Sequence, residues 1–321
     1  MKAARLVEFA GPDGLAIEEV VAPVPGPGQI RVQVRATALN RADLLQTMGL
    51  YPAPPGVPAD IPGLEYAGVV ESLGAGVTRW QVGERVMGLV AGGAWAEQLV
   101  THEREGLRIP GQLSFEQAAA IPEAFLTAFD ALTLQGGMRE GHTVLIHAVG
   151  SGVGTAAVQW AKAVGARTVG TARTAAKLER VKALGLDLGL LVDGAAPSFA
   201  GQVQANVALE LVGGNYLPET IEAMAPGGVV MLVGLTAGIT AELSLRTILS
   251  RRLRIIGTTL RARSLEEKIA VAEAFAAQVL PYFAAGTIAP VVGSKVPLAG
   301  LKGALEAMAS NETFGKTVVT L

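Results

Sequence analysis

Glycines at positions 150, 152 and 154 separate the apolar run Thr143-Val-Leu-Ile-His-Ala148 from a stripe of Val153, Ala156, Ala157, Trp160, Ala161 and Val164. The stripe keeps helical spacing and stops at Gly165, so the segment reads as strand, turn and helix. Such a turn aims backbone N–H groups and the positive end of a helix at an anion. The chemistry open to it is to hold the phosphates of a dinucleotide, with Ser151, Gly152 and Val153 as backbone donors and Gly150 and Gly154 giving close approach. A strict G-x-G-x-x-G would need glycine at 155, where Thr155 stands, so the motif alone is weak. The β-like run Arg167-Thr-Val-Gly-Thr171 follows at once and completes a βαβ unit. The alternative is a glycine-rich loop in some other α/β protein.

The window after that second strand, Thr171-Ala-Arg-Thr-Ala-Ala-Lys177, bears on which dinucleotide fits. An NAD site carries Asp or Glu there for the ribose 2′-hydroxyl, and this window has no acid. Arg173 and Lys177, with Thr174 as a neutral donor, are placed instead to meet a 2′-phosphate, and the expected cofactor is NADPH. A charge-assisted bond contributes about 1.5 to 3 kcal/mol, so two give roughly tenfold to a few hundredfold preference. The alternative is that both are solvated charges at a helix start, where cations are locally unfavourable.

These residues need a frame, and 321 residues at 50% apolar and 17% charged supply core enough for two domains. Residues 30 to 38 alternate apolar Ile30, Val32, Val34, Ala36 and Ala38 with polar partners, the period of a half-buried strand. Short strands are expected around 67–72, 84–90 and 96–101. Capping boxes at Ser114 and Ser264 open helices, and a further helix is expected from Pro122. Strands then alternate with helices to about Leu280, which implies a doubly wound parallel sheet. Lys316 to Leu321 reads as a last strand returning to the first domain. The Pro-rich piece Tyr51 to Pro58 must be a loop or lid, since each proline removes a donor.

Composition excludes other chemistry. The chain has no cysteine, which removes disulfides, thiolate zinc sites and cysteine nucleophiles. Net charge is −2 without a basic stripe, against nucleic-acid binding. Four glycines and Pro226 interrupt the longest uncharged run, 223–241, so no membrane span is expected. Charges near Met1, where a signal peptide has its apolar core, lead to the expectation of a cytoplasmic protein. His102, His142 and His147 lack metal or triad spacing and are read as structural.

Several longer stretches carry a resemblance. They are Asn40-Arg-Ala-Asp-Leu-Leu-Gln46, Gly49-Leu-Tyr-Pro52, Gly63-Leu-Glu65, Ile121-Pro-Glu-Ala-Phe-Leu-Thr-Ala-Phe129, Ile146 to Thr155 and Leu253 to Arg263. In order along nearly the whole chain, they resemble the zinc-independent quinone oxidoreductases of the medium-chain dehydrogenase/reductase superfamily, the tumour-suppressor-inducible type in particular. The resemblance implies an α/β protein with a GroES-like β-barrel catalytic domain, residues 1–121 and 281–321, around a Rossmann doubly wound parallel sheet domain, residues 122–280. It places cofactor and substrate in a cleft between them. It also implies a homodimer pairing strands near Arg254 to Leu260.

Zinc-dependent relatives use a cysteine near Asn40 and a histidine just before Glu65; here Asn40 and Leu64 stand there, so no metal is expected. Without a Lewis acid, alcohol oxidation loses several kcal/mol of help, about what a bound metal supplies, while quinones and conjugated enones remain feasible acceptors. The resemblance assigns Tyr51, Asn40 and Thr127 to the reacting centre. Tyr51 donates to the acceptor oxygen, Asn40 orients cofactor ribose or substrate, and Thr127 contacts nicotinamide. Leu235, Thr236 and Leu260, after the fifth and sixth strands, line the cofactor. The alternatives are an exposed loop aromatic for Tyr51, a turn-closing Asn40, and a Thr127 bonded to its own helix. Glu65 is read as fixing a turn or an arginine. Relatives carry a tyrosine near Val192 for the adenine end and a longer segment at 195–205; this chain departs in both. The leading reading is an NADPH-dependent quinone reductase, with an alkenal or enoyl reductase next and a non-catalytic NADPH-binding sensor third.

Overall fold

The computed structural model describes residues 1–321. Its backbone divides into two compact units, 1–126 with 260–321, and 127–259.

In the second unit, six parallel strands form one sheet. From edge to edge they are Leu188–Leu191, Arg167–Ala172, Thr143–Ile146, Ala205–Glu210, Met224–Leu232 and Arg254–Gly257. Parallel strands need crossovers, and the helices Gly152–Ala163, Ala175–Lys182 and Tyr216–Glu222 supply three of them. The strands read as continuous apolar runs because both faces are covered: Val144, Leu145, Ile146, Val207, Ala208 and Leu209 are all at most 1% exposed. The edge strand Arg254–Gly257 pairs on one side only. Near it in sequence, Leu245 and Leu249 are 76% and 80% exposed.

The first unit is built on a mixed seven-stranded sheet. Along it run Val292–Pro297, Lys316–Thr320, Gln29–Ala38, Glu65–Leu73, Arg85–Leu89 and Leu107–Arg108, with Gln98–His102 pairing Gln29–Ala38. The alternation expected at 30–38 holds as far as Ala36, with Ile30, Val32, Val34 and Ala36 buried and Arg31, Gln33 and Arg35 partly or fully exposed; it fails at Thr37, which is buried and donates its hydroxyl to the Glu65 carbonyl at 2.6 Å. The C-terminal strand pairs antiparallel with it, Val318 opposite Ala38. Both capping boxes form, Ser114 with Gln117 and Ser264 with Glu267.

The second domain boundary differs from expectation. The helix Leu265–Gln278 belongs to the first unit, so the division falls at 259/260 and not at 280. Its helical period was legible, but its partners were not: Lys268 pairs with Glu105 at 3.1 Å, Glu266 with Arg104 at 3.2 Å and Glu273 with Arg79 at 2.9 Å. The first boundary falls inside the helix Pro122–Phe129, five residues beyond the expected 121.

Candidate active site and cofactor loop

Thr143–Ile146 ends the central strand of the parallel sheet, and the chain turns through Ala148, held at φ +47°, into the helix Gly152–Ala163. A non-glycine residue at positive φ is costly, so this turn is held by its surroundings. Ser151 is the N-cap; its hydroxyl accepts from the Gly154 amide at 3.0 Å. The first helical amides, Gly152 and Val153, have no acceptor within the helix and remain available to an anion. Gly154 has no room for a side chain: a Cβ there would stand 2.5 Å from the Ala148 carbonyl oxygen.

Arg173 and Thr174 follow the next strand and are exposed. Arg173 makes no hydrogen bond or ion pair within the protein, and its stem lies against Gly194, where a Cβ would come within 3.0 Å. Thr174 is the N-cap of Ala175–Lys182 without bonding it, and Lys177 sits in its first turn. Thr171 lies near the end of the strand Arg167–Ala172, ahead of Arg173. It is fully buried, and its hydroxyl bonds His147 Nδ1 at 2.9 Å, so only its backbone is left for a ligand.

His147 Nε2 in turn meets the Thr220 hydroxyl at 2.9 Å, which donates to Glu210 at 2.7 Å. Glu210 also accepts the amides of Val212 and Gly213, both at 2.9 Å. Burial, opposed in part by the Glu210 charge, pushes His147 below the ordinary histidine value. The neutral ring is therefore a structural tie between the strand Arg167–Ala172 and the helix Tyr216–Glu222.

Leu235 and Thr236 lie exposed just past the strand Met224–Leu232, at its carboxyl end. Leu260 is 8% exposed and lines a small cavity of the first unit with Leu89, Leu126, Val271 and Ala272. Thr127 is 8% exposed, and its hydroxyl has no partner in the protein, so the expected alternative of a bond to its own helix is not seen.

In the first unit, strand register builds a charged cluster. Thr37 pairs with Tyr66, which sets Asn40, just past one strand, beside Glu65 at the start of the next. Lys316 opens the neighbouring C-terminal strand and is 4% exposed. Its ammonium donates to Glu65 Oε1 at 2.6 Å, Asn40 Oδ1 at 2.5 Å and the Leu39 carbonyl at 2.8 Å. Asn40 spends its own N–H groups on Glu65 at 2.9 Å and the Ala38 carbonyl at 3.3 Å. Its amide is thus engaged within the cluster. Glu65 fixes a lysine, not a turn or an arginine, and its Oε2 accepts the Glu123 amide at 2.8 Å, capping the helix Pro122–Phe129. Asp43 accepts the amides of Asn40 at 2.8 Å and Gly63 at 3.2 Å. Burial outweighs those bonds and raises its carboxyl to about 7.

Tyr51 begins the Pro-rich loop. Arg261 holds it: the guanidinium lies 4.9 Å over the ring and donates to the Tyr51 carbonyl at 3.1 Å, Gln46 Oε1 at 2.6 Å and the Ala91 carbonyl at 2.8 Å. Burial, helped by the Glu123 charge and opposed by Arg261, pushes the phenol above its ordinary value, so it stays protonated at neutral pH. Burial likewise raises the Glu123 carboxyl to about 8, with Glu65 adding to the rise. Arg261, Lys316 and Glu123 escaped the sequence reading; only the Leu253 to Arg263 and Ile121 to Phe129 stretches pointed toward two of them.

Residues 26–128 match the family model for an alcohol dehydrogenase GroES-like domain, and 152–277 that for a zinc-binding dehydrogenase. The quinone oxidoreductase of Lama guanicoe is 30% identical over 100% of this chain and 98% of its own. The chain belongs to the medium-chain dehydrogenase/reductase superfamily. Its sheets are that superfamily's GroES-like and Rossmann-type domains, and it is an oxidoreductase of that kind. It is 37% identical over 68% of its length to the polyketide synthase component PikAII of Streptomyces venezuelae, but spans only 6% of that protein. Among solved superfamily structures, the Pseudomonas syringae quinone oxidoreductase superposes with TM-score 0.89 at 28% identity, covering 100% and 99% of the two chains. A mycobacterial protein complexed with NADPH gives 0.88 at 26%, covering all of both. The CurK enoyl reductase gives 0.87 at 25%, covering 99% and 98%.

The zinc named in the second family description finds no fitting donors here. Cysteine is absent, and the Asn40 and Glu65 oxygens already serve the Lys316 ammonium, whose charge opposes a metal cation. No helix is long and apolar enough to cross a membrane.

Proposed function

We propose that this chain is an NADPH-dependent oxidoreductase that passes hydride to a small quinone without zinc. The observation carrying this is the Lys316 ammonium bonded to Asn40, at the position where zinc-dependent relatives keep a cysteine, in a chain that also has the glycine turn before the helix Gly152–Ala163. Similarity to two quinone oxidoreductases and to a protein solved with NADPH supports it. When bound, the cofactor supplies the hydride. The residues supply placement: Gly150 to Gly154 and Ser151 for the pyrophosphate, Arg173, Thr174 and Lys177 for the 2′-phosphate, and Thr127, Leu235 and Thr236 along the remainder. Tyr51 donates a hydrogen bond to the acceptor oxygen as negative charge grows there. An enone needs the same donor, and the CurK similarity keeps C=C reduction as the second reading. NADPH oxidation followed by absorbance with menadione, with methyl vinyl ketone and with no acceptor separates the two readings. Oxidation with neither acceptor overturns both.

Arg173→Ala is expected to raise the KM for NADPH by about tenfold or more, the size of one charge-assisted bond, and to leave the KM for NADH nearly unchanged. Steady-state kinetics with both cofactors checks this; equal shifts remove the phosphate assignment. The open edge strand and the exposed Leu245 and Leu249 support a homodimer joined there. Sedimentation equilibrium is expected to give twice the chain mass, and Leu249→Glu a monomer; a monomeric parent sinks the assignment.

A further inference from the structure

Register brings two loops together at the carboxyl edge of the parallel sheet. Leu191 pairs with Ala172, and the Val192 amide donates to the Ala172 carbonyl at 3.0 Å, so the residues after both strands leave that edge side by side. On one side this is Arg173, on the other the turn Asp193-Gly194-Ala195. Asp193 accepts the Ala195 amide at 2.9 Å. Asn215 Nδ2 donates to the Ala195 carbonyl at 2.7 Å and the Gly194 carbonyl at 3.4 Å. Asn215 follows the strand Ala205–Glu210, and two strands of the sheet lie between that strand and Leu188–Leu191. Its side chain therefore ties the turn to a distant part of the same unit.

Gly194 is the residue of the turn that meets Arg173. Its φ lies outside the left-handed region, so the backbone there does not call for glycine. What glycine leaves is space, and the arginine stem takes it: a Cβ would stand 3.0 Å from Arg173 Cδ and 3.7 Å from Cγ. The guanidinium beyond that stem is exposed and makes no bond within the protein. Asp193, the acid of the turn, is engaged with the Ala195 amide and leaves the arginine charge to a ligand.

We propose that Gly194, fixed by Asn215, is a positioning residue for NADPH specificity: its bare Cα seats the Arg173 stem so that the guanidinium is ready for the 2′-phosphate. The inference rests on the phosphate reading of Arg173 above. A long side chain loses rotamer freedom when it takes an anion, and a seat for its stem lowers that cost before the ligand arrives. The gain falls on the phosphorylated dinucleotide alone, because a ribose 2′-hydroxyl offers the guanidinium no charge.

The test titrates the full chain in a calorimeter with two fragments that differ by the phosphate in question, adenosine 2′,5′-bisphosphate and adenosine 5′-monophosphate. Arg173→Ala is expected to weaken the bisphosphate by about tenfold or more and the monophosphate by less than about twofold. Gly194→Val fills the seat on an unstrained backbone and is expected to weaken the bisphosphate by roughly fivefold, again sparing the monophosphate. Asn215→Ala, which frees an exposed turn, is expected to give a loss of the same kind, roughly threefold. Added to Arg173→Ala, Gly194→Val is expected to cost nothing further, since no stem is left to seat. The KM for NADPH rises in step while kcat holds. If Arg173→Ala is selective but Gly194→Val leaves the bisphosphate unchanged, weakens both fragments alike, or adds its full loss to that of Arg173→Ala, the proposal is overturned and the phosphate reading stands. If Arg173→Ala weakens both fragments alike, the phosphate reading falls and the proposal with it.

Discussion

Tyr51→Phe is expected to lower kcat with menadione by about a hundredfold while leaving NADPH affinity within roughly twofold. The substitution removes one hydroxyl and nothing that holds the loop. Arg261 bonds the Tyr51 carbonyl, not the phenol oxygen, and its guanidinium lies over a ring face that phenylalanine retains. The loop therefore keeps its place, and the loss falls on the donor alone. A hydrogen bond that strengthens as charge develops affects kcat rather than binding, so the KM for menadione moves less than kcat. Steady-state kinetics with a direct NADPH binding titration reads both quantities. Unaltered kcat removes Tyr51 from the chemistry and returns it to a loop aromatic. Slower turnover with equally weakened NADPH binding points to a displaced loop instead.

Tyr51 also marks how far the sequence could be read. The strand Gln29–Ala38 announced itself because its two faces meet different surroundings, and the glycine turn because Ser151, Gly152 and Gly154 are neighbours in sequence. A local period records local geometry. Lys316 reaches the Leu39 carbonyl across 277 residues, and Arg261 reaches Gln46 across 215, so neither contact leaves any local pattern. What brings Lys316 to Leu39 is strand pairing in one sheet, Val318 against Ala38, and that register was not legible. The same limit hid the surroundings of Asn40 and Leu260. Asn40 lies just past its strand, but the lysine that engages its amide lies near the other end of the chain. Leu260 follows the last parallel strand in sequence yet is buried in the other unit. Thr171 was taken from a window where position alone suggested cofactor; the buried His147 ring claims its hydroxyl.

Lys316→Met carries the largest expected loss of stability, about 3 to 5 kcal/mol. An ammonium has three protons, and here each finds an acceptor: Glu65 Oε1, Asn40 Oδ1 and the Leu39 carbonyl. Methionine fills similar volume but leaves Glu65 buried at 0% exposure with no bonded counter-charge. The cost is mainly that orphaned carboxylate, not the ion pair itself, since a buried pair recovers little beyond its own desolvation. The distinction is testable. Lys316→Met with Glu65→Gln removes the stranded charge while keeping an oxygen that can accept the Glu123 amide, and is expected to recover more than half of the loss. Urea denaturation at neutral pH reads each variant, with the midpoint moving and the slope held. A single variant as stable as the parent shows that the cluster does not depend on the ammonium. A double variant no better than the single one assigns the cost to packing around Asn40 and the C-terminal strand, and the charge argument fails.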